Sequence, residues 1–211
     1  MFLTEKKDVK EIDEALKKYK KIGVVGCASC ASVCLTGGSR EVREMKKHLE
    51  SSGKEVTFTI SIDEPCDKRV LKEDIRFVED ELKETEAVVV LSCGTGVQTI
   101  GDFIQKKVVS GTDSKYIAQT EHIGEYYALC GGCDSCRLNF TGGVCTITLC
   151  PKGLLNGPCE GHNGNNCEVF EDKECVFVKS YELLKKYSEE DNLNKIFEPR
   201  DYGHSTTRTK I

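Results

Sequence analysis

The sequence has no long apolar run, and this absence argues against a membrane-spanning helix. Its longest uninterrupted hydrophobic stretch, Ala87–Leu91, is about five residues long, whereas a spanning helix needs about 20. The first residues become charged at Glu5, Lys6 and Lys7, so no secretory signal is expected. We therefore predict a cytoplasmic protein without a membrane span.

A stripe of basic charge is missing too. The 30 lysines and arginines and the 35 aspartates and glutamates are mixed along the chain and give a net charge of -5. A nucleic-acid partner is not expected, because a phosphate backbone requires a clustered basic surface. The nucleotide motifs are incomplete as well: Gly101 comes too late after Gly94-Thr-Gly96, and Leu35-Thr-Gly-Gly38 lacks the lysine of a phosphate loop. We interpret Gly94 and Gly96 as a tight turn between a strand and a helix.

The residue that is abundant is cysteine, with 13 copies. Disulfides do not persist in a reducing cytosol, so thiolates there usually bind metal. A disulfide scaffold is the alternative, but the odd number and close spacing of the cysteines count against it. The composition therefore predicts metal binding.

Residues 20–115 have the periodicity of an α/β domain. Strands are predicted at residues 22–25, 56–62 and 87–91, and helices at residues 40–52, 70–82 and 97–107. An amphipathic helix over residues 9–19 precedes them. Strands that alternate with helices favour an open parallel sheet of the flavodoxin or Rossmann type. We predict that this α/β domain spans residues 1–115.

The chain changes character at about Tyr116, where glycine, asparagine and cysteine begin to dominate. No helical run is predicted before Val176. Such a segment cannot bury an ordinary apolar core, so metal ligation has to supply folding free energy. We predict a loop-dominated, cysteine-rich iron-sulfur module over residues 116–180. Residues 181–211 are predicted to form short helices and a tail that contacts a partner, with apolar positions at Tyr181, Leu184, Tyr187, Leu193, Ile196 and Phe197.

The cysteine-rich module contains the strongest local motif, Cys130-Gly-Gly-Cys133-Asp-Ser-Cys136, followed later by the pair Cys150-Pro151. Bacterial ferredoxins bind four-iron clusters with such a triplet and such an ending, although here the ending is delayed. The module offers eight thiolates, the number that two four-cysteine clusters need: Cys130, Cys133, Cys136, Cys145, Cys150, Cys159, Cys167 and Cys175. We predict two [4Fe-4S] clusters here, with zinc in a four-cysteine site as the alternative.

Five more cysteines follow the predicted strands of the α/β domain: Cys27, Cys30, Cys34, Cys66 and Cys93. The carboxyl ends of parallel strands lie along one edge of a sheet, where ligand sites form. We predict a further metal site at this edge, with Cys27 as a spare thiol and the other four as ligands of a third cluster that receives electrons. The alternative is that some of the five are buried as small hydrophobic residues.

The four histidines add little to this picture. His122 and His162 lie near cysteines in the sequence, but hydrogen bonding in polar loops is the simpler interpretation because the cysteines suffice as ligands. His48 is predicted on a solvated helix face and His204 in the tail.

Three segments resemble one protein family: Cys93-Gly-Thr-Gly-Val-Gln98, residues 130–145, and above all Cys150-Pro-Lys-Gly-Leu-Leu-Asn-Gly-Pro-Cys159 with Cys167-Glu-Val. The family is the MetV-type small subunit of methylenetetrahydrofolate reductase, found in acetogenic bacteria and their relatives. The resemblance covers nearly the whole chain. Thr146 stands where the family often has proline, and Glu160 where it usually has glycine; both departures leave the cysteines intact.

The resemblance implies an electron-transfer subunit of an oxidoreductase complex that is not an enzyme alone. It would pass electrons from a ferredoxin or a donor subunit, through iron-sulfur clusters, to a flavin-bearing catalytic subunit that makes 5-methyltetrahydrofolate in the Wood-Ljungdahl pathway. The flavin is expected in the partner only. The length agrees, since a catalytic barrel needs about 250 residues. Two alternatives remain open: a zinc-stabilised docking module without a redox role, and an iron-sulfur carrier for another oxidoreductase.

Overall fold

The structure is a computed structural model that describes residues 1–133 and 135–201. The chain divides into two units, Met1–Tyr127 and Ala128–Ile211. His204 and nearly all of the predicted tail, residues 202–211, lie outside the described residues, as does Asp134 of the cysteine motif. In the part that is described, no helix combines the length and the apolar character that crossing a membrane requires.

The described strands form two sheets. The strands are β1 (Phe2–Lys6), β2 (Lys21–Cys27), β3 (Glu55–Ile62), β4 (Ala87–Leu91), β5 (Lys107–Ser110), β6 (Thr112–His122) and β7 (Glu125–Cys130). A parallel sheet has the order β3-β2-β4-β5, and a second sheet has the order β1-β6-β7. The predicted parallel α/β architecture is therefore confirmed for the first unit.

The helices alternate with the parallel strands. They are α1 (Val9–Ala15), α2 (Cys30–Val33), α3 (Ser39–Ser51), α4 (Lys68–Asp74), α5 (Glu79–Glu84), α6 (Gly94–Ile104), α7 (Thr146–Leu149) and α8 (Val176–Lys186), with 3₁₀ turns at Ile75–Val78, Leu138–Phe140 and Glu190–Asn194. The helix predicted over residues 70–82 is observed as α4, a 3₁₀ turn and α5. The helix predicted over residues 97–107 ends at Ile104, and Lys107 begins β5 instead.

Helices cover both faces of the parallel sheet. Successive strand residues point to opposite faces, so Val89 packs with Leu49 of α3 on one face, while Val88 and Val90 pack with Ile100 of α6 on the other. This is the doubly wound arrangement. The connection from β2 leads to β3, and the connection from β4 leads to β5 on the opposite side. The carboxyl ends of β2 and β4 therefore form the topological switch point, where ligands bind in such sheets.

The second sheet was not predicted from the sequence. β1 pairs with β6 in the antiparallel direction, with Lys6 opposite Thr112. Most positions of β6 are exposed and polar, so the alternation of apolar and polar residues that signals a strand is missing. The segment after Tyr116, predicted to be loop, therefore begins with regular strand structure.

The second unit has a small core in which sulfur takes part. Cys175, Val176 and Phe177 are buried together, against partly buried residues that include Leu154. Gly157 packs directly on this core, since any side chain there would lie 2.4 Å from the Phe177 ring. The described part of this unit is otherwise mostly loop.

Candidate functional site

The eight cysteines of the second unit line two separate cavities, four in each. A cavity of about 150 Å³ is lined by Cys130, Cys133, Cys136 and Cys145. A cavity of about 190 Å³ is lined by Cys150, Cys159, Cys167 and Cys175. We call these the first and the second quartet. Each quartet is contiguous in the order of cysteines along the chain, and the two cavities share no cysteine.

Backbone amides point at sulfurs of the first quartet. The Gly132 amide lies 3.4 Å from Cys130 Sγ, and the Thr148 amide, in the first turn of α7, lies 3.5 Å from Cys145 Sγ. Apolar side chains complete the wall: Leu129, Leu138 and Ile147. The first quartet is thus a cavity with partly apolar walls in which two sulfur atoms accept hydrogen bonds from backbone amides.

Arg137 lines the first cavity and has unused hydrogen-bond donors. Its Nε and Nη1 are buried without an acceptor, while its Nη2 donates to the Glu198 carbonyl oxygen at 2.9 Å. Its guanidinium carbon lies 4.4 Å from the centroid of the Phe197 ring. Buried donors without acceptors are costly. A negatively charged, sulfur-rich group ligated by the first quartet would offset this cost, so the residues present fit such a group.

The second quartet lies among charged side chains of both signs. Lys152, Lys173 and Lys179 line its cavity together with Glu174. Lys152 pairs with Glu168, and the Cys159 thiol donates to Glu168 Oε1 at 3.5 Å. Amide hydrogen bonds from Phe170 and Val169, and to a lesser extent the charge of Lys152, lower the pKa of Cys167. These features favour the thiolate form, which is the form that binds metal.

Both cavities have room for a group of several atoms. Cavities of about 150 and 190 Å³ are at least ten times the roughly 10–15 Å³ that one water requires.

One helical turn separates the two quartets. Cys145 immediately precedes α7 and Cys150 immediately follows it. Ile147 of this helix lines the first cavity, and Leu149 lines the second. At about 1.5 Å per residue, the four residues of α7 span about 6 Å. The two sites are therefore close neighbours within the second unit.

The five cysteines of the first unit lie around the carboxyl ends of the parallel strands, in different environments. Cys27 and Cys93 are buried, Cys30 is half-buried and Cys66 is exposed. Cys34 is buried, and its thiol donates to the Phe2 carbonyl oxygen of β1 at 3.5 Å. Desolvation by the surrounding loops, and then the charges of Cys93 and Cys27, raise the pKa of Cys66.

The histidines have other roles. His48 Nε2 lies 3.0 Å from Asp13 Oδ1, and His162 Nδ1 lies 2.9 Å from the Gly164 carbonyl oxygen. His122 is exposed at the end of β6. Neither His48 nor His162 lines a quartet cavity. The turn at Gly94 and Gly96 is tight, since a side chain at Gly96 would lie 2.3 Å from Ser92 Oγ.

Charged residues beside the quartets were missed from the sequence. The motifs identify the cysteines alone. The one available signal for Arg137 is that it directly follows Cys136, the last cysteine of the triplet. The lysines of the second cavity are scattered over the loops between its cysteines and resemble an ordinary solvated surface.

Two residues that differ from the usual family pattern occupy positions with special backbone requirements. Glu160, where glycine is usual, has φ +61°, a conformation that favours glycine. Thr146, where proline is common, is the first residue of α7, a position that suits proline because its missing N–H has no helical partner.

Two thiol quartets flanked by basic side chains define a cysteine-rich module with two separate candidate sites. Residues 109–203 match the protein family described as "Methylene-tetrahydrofolate reductase C terminal", a match that covers just under half of the chain and includes all eight quartet cysteines. Over this region the chain is therefore similar to that domain family. No curated protein matches the chain.

Proposed function

We propose that this chain is the electron-transfer subunit of a methylenetetrahydrofolate reductase and is not an enzyme alone. The observation that carries the proposal is the division of eight cysteines into two four-cysteine cavities, inside the region that matches the reductase C-terminal family. Each quartet ligates one [4Fe-4S] cluster. The MetV-type small subunit, which the motifs resemble, is the specific assignment.

The side chains around each quartet suit this role. When bound, a four-iron cluster takes up and releases one electron at a time. Leu129, Leu138 and Ile147 keep water from the first quartet, and the amides at Cys130 and Cys145 tune the potential through hydrogen bonds to sulfur. Arg137 and the lysines of the second cavity balance negative charge. The short helix α7 holds the two quartets near enough for electrons to pass between them.

The partner is a flavin-bearing catalytic subunit, and the electrons come from a ferredoxin or a donor subunit. Tyr181, Tyr187 and Ile196 of the second unit expose 43%, 56% and 80% of their surface and offer apolar contacts for docking. Leu184, which the sequence groups with them, is fully buried. It stabilises the unit itself, so a partner surface has to be tested by substitution of the exposed residues rather than by truncation of α8.

Metal analysis of anaerobically purified variants tests the proposal. Cys133→Ser and Cys159→Ser should each remove about four irons, the content of one cluster. The double variant in the first quartet, Cys133→Ser with Cys136→Ser, should lose no more iron than Cys133→Ser. The double variant across quartets, Cys133→Ser with Cys159→Ser, should lose about eight irons.

The same preparations separate the alternatives. Zinc without iron in the second unit would favour the docking module and contradict electron transfer. Reduction of methylenetetrahydrofolate by the isolated chain would contradict the division of labour with a flavin subunit. Purification with a different oxidoreductase, and not with a folate reductase, would identify a carrier for another enzyme.

A further inference from the structure

The switch point of the parallel sheet in the first unit carries a concentration of thiols. Cys27 is the last residue of β2, and Cys93 is the second residue after β4 and caps α6. These two strands are neighbours in the sheet, with Gly26 opposite Leu91. The connections that follow them leave in opposite directions, and in sheets of this type a crevice forms at such strand ends.

The loop that carries Cys66 folds back over this crevice. The thiol of Cys27 lies 3.8 Å from the Asp63 carbonyl oxygen, at the start of that loop. A side chain at Gly96, in the first turn of α6, would meet Pro65 Cγ at 3.4 Å. The loop after β3 therefore contacts both the end of β2 and the beginning of α6. The charges of Cys93 and Cys27 also reach the Cys66 thiol, in agreement with this proximity.

The two remaining cysteines at this edge of the sheet, Cys30 and Cys34, have different surroundings. Cys30 is the first residue of α2 and stands in the spacing Cys27-x-x-Cys30, a spacing typical of ligand pairs in iron-sulfur and zinc sites. The Cys34 thiol is directed to the backbone of β1 and donates to Phe2. This contact directs Cys34 toward β1, whereas the corresponding contact of Cys27 is with Asp63, at the start of the loop that carries Cys66.

We propose that Cys27, Cys30, Cys66 and Cys93 ligate a third iron-sulfur cluster at the switch point of the parallel sheet. This ligand set replaces Cys34 of the sequence-based prediction by Cys27. A four-iron cluster is proposed because it is held by four cysteine thiolates, and zinc in a four-cysteine site is the alternative that the test distinguishes. The site uses no residue of the second unit and does not depend on the proposed function.

The competing explanation is that these are ordinary buried thiols, since free cysteine is among the most buried residue types. It accounts for Cys27 and Cys93, which are 5% and 8% exposed. It gives no reason for Cys66, which is exposed and yet carried on a loop that contacts the end of β2 and the beginning of α6. Because Cys66 is exposed, its replacement should leave the fold of the first unit intact.

The test compares two matched serine variants of the full chain after anaerobic reconstitution with ferrous iron and sulfide. Cys66→Ser should lose about four irons per chain and one electron paramagnetic resonance signal, because thiolates suit iron-sulfur clusters better than oxygen ligands. Cys34→Ser is the control: serine can donate the same hydrogen bond to Phe2, and the iron content should stay unchanged. Cys30→Ser should reproduce the loss seen with Cys66→Ser.

Three results would overturn this proposal. The first is an unchanged iron content in Cys66→Ser, and the second is an equal loss of iron in Cys34→Ser. The third is that the only metal lost on replacement of Cys66 is zinc. A Cys27–Cys30 disulfide in the reconstituted chain would overturn it too. Cys133→Ser, measured in parallel, keeps the two hypotheses apart, because iron lost only with Cys66→Ser refutes the proposed function and supports the third site. The reverse pattern refutes the third site alone.

Discussion

The two units of this chain are stabilised in different ways. The first unit buries two apolar layers, one on each face of its parallel sheet. In the described part of the second unit, the buried apolar residues are Cys175, Val176, Phe177 and Leu184. Burial of apolar surface scales with the number of such side chains, so the first unit can fold on hydrophobic burial whereas the second needs other cross-links. If the proposed clusters are bound, their thiolate ligands would supply those cross-links in the second unit.

Removal of metal should have the largest effect and should unfold the second unit only. Anaerobic treatment with a strong iron chelator should abolish amide exchange protection in residues 128–201, since metal binding supplies as much as about 10–16 kcal/mol in small metal-dependent folds. Protection in the parallel sheet should persist. Hydrogen exchange read by mass spectrometry measures both regions in one sample.

A core substitution in the first unit provides the matched control. Leu49 is fully buried between α3 and the sheet, so Leu49→Ala should cost about 2–5 kcal/mol of unfolding free energy there. The iron content of the second unit should not change. Full protection of the second unit after metal removal would show that the difference between the units is not real.

Removal of one positive charge beside a quartet should change the reduction potential of that centre more than the potential of the other. Arg137→Gln removes the cation beside the first quartet and should disfavour the reduced, more negative state. A loss of about 1 kcal/mol corresponds to about -40 mV for a one-electron couple. Lys173→Gln should shift the potential of the second centre instead, and by less, because solvent screens this exposed side chain.

A redox titration followed by electron paramagnetic resonance measures both potentials. Equal shifts of both signals in Arg137→Gln would contradict the assignment of Arg137 to the first quartet.

The smallest expected effect concerns backbone strain in the second unit. Glu160 has φ +61°, and a non-glycine residue in this region costs about 1–2 kcal/mol. Glu160→Gly should therefore raise the unfolding free energy of the metal-loaded chain by about 1 kcal/mol, part of the gain being offset by the greater freedom of glycine in the unfolded chain. Glu160→Ala keeps the steric conflict and should bring no gain in a thermal unfolding experiment.

The parts of the fold that the sequence predicts are those with a strong hydrophobic period. β2, β3 and β4 lie within about two residues of their predicted positions, because buried parallel strands are continuous apolar runs. The strands β1 and β6 escaped prediction because they pair with each other and leave most of their side chains in solvent. A strand without a buried face has no period to detect.

The sequence predicts which cysteines belong to the candidate sites, but it does not predict which four share a cavity. Spacing identifies Cys130, Cys133 and Cys136 as a unit, but the delay before Cys150 leaves open which quartet Cys145 joins. The structure places Cys145 at one end of α7 and Cys150 at the other, facing different cavities. Loop geometry decides this division, and loop geometry has no simple sequence signal.

The position of α7 between the two quartets has a consequence for the stability of this helix. A helix of four residues cannot persist alone, because helix nucleation is unfavourable and short helices gain too few hydrogen bonds. If each quartet binds a cluster, ligation of Cys145 and of Cys150 would anchor α7 at both of its ends. Loss of one centre should then loosen α7 at one end only, and the other quartet should keep its iron.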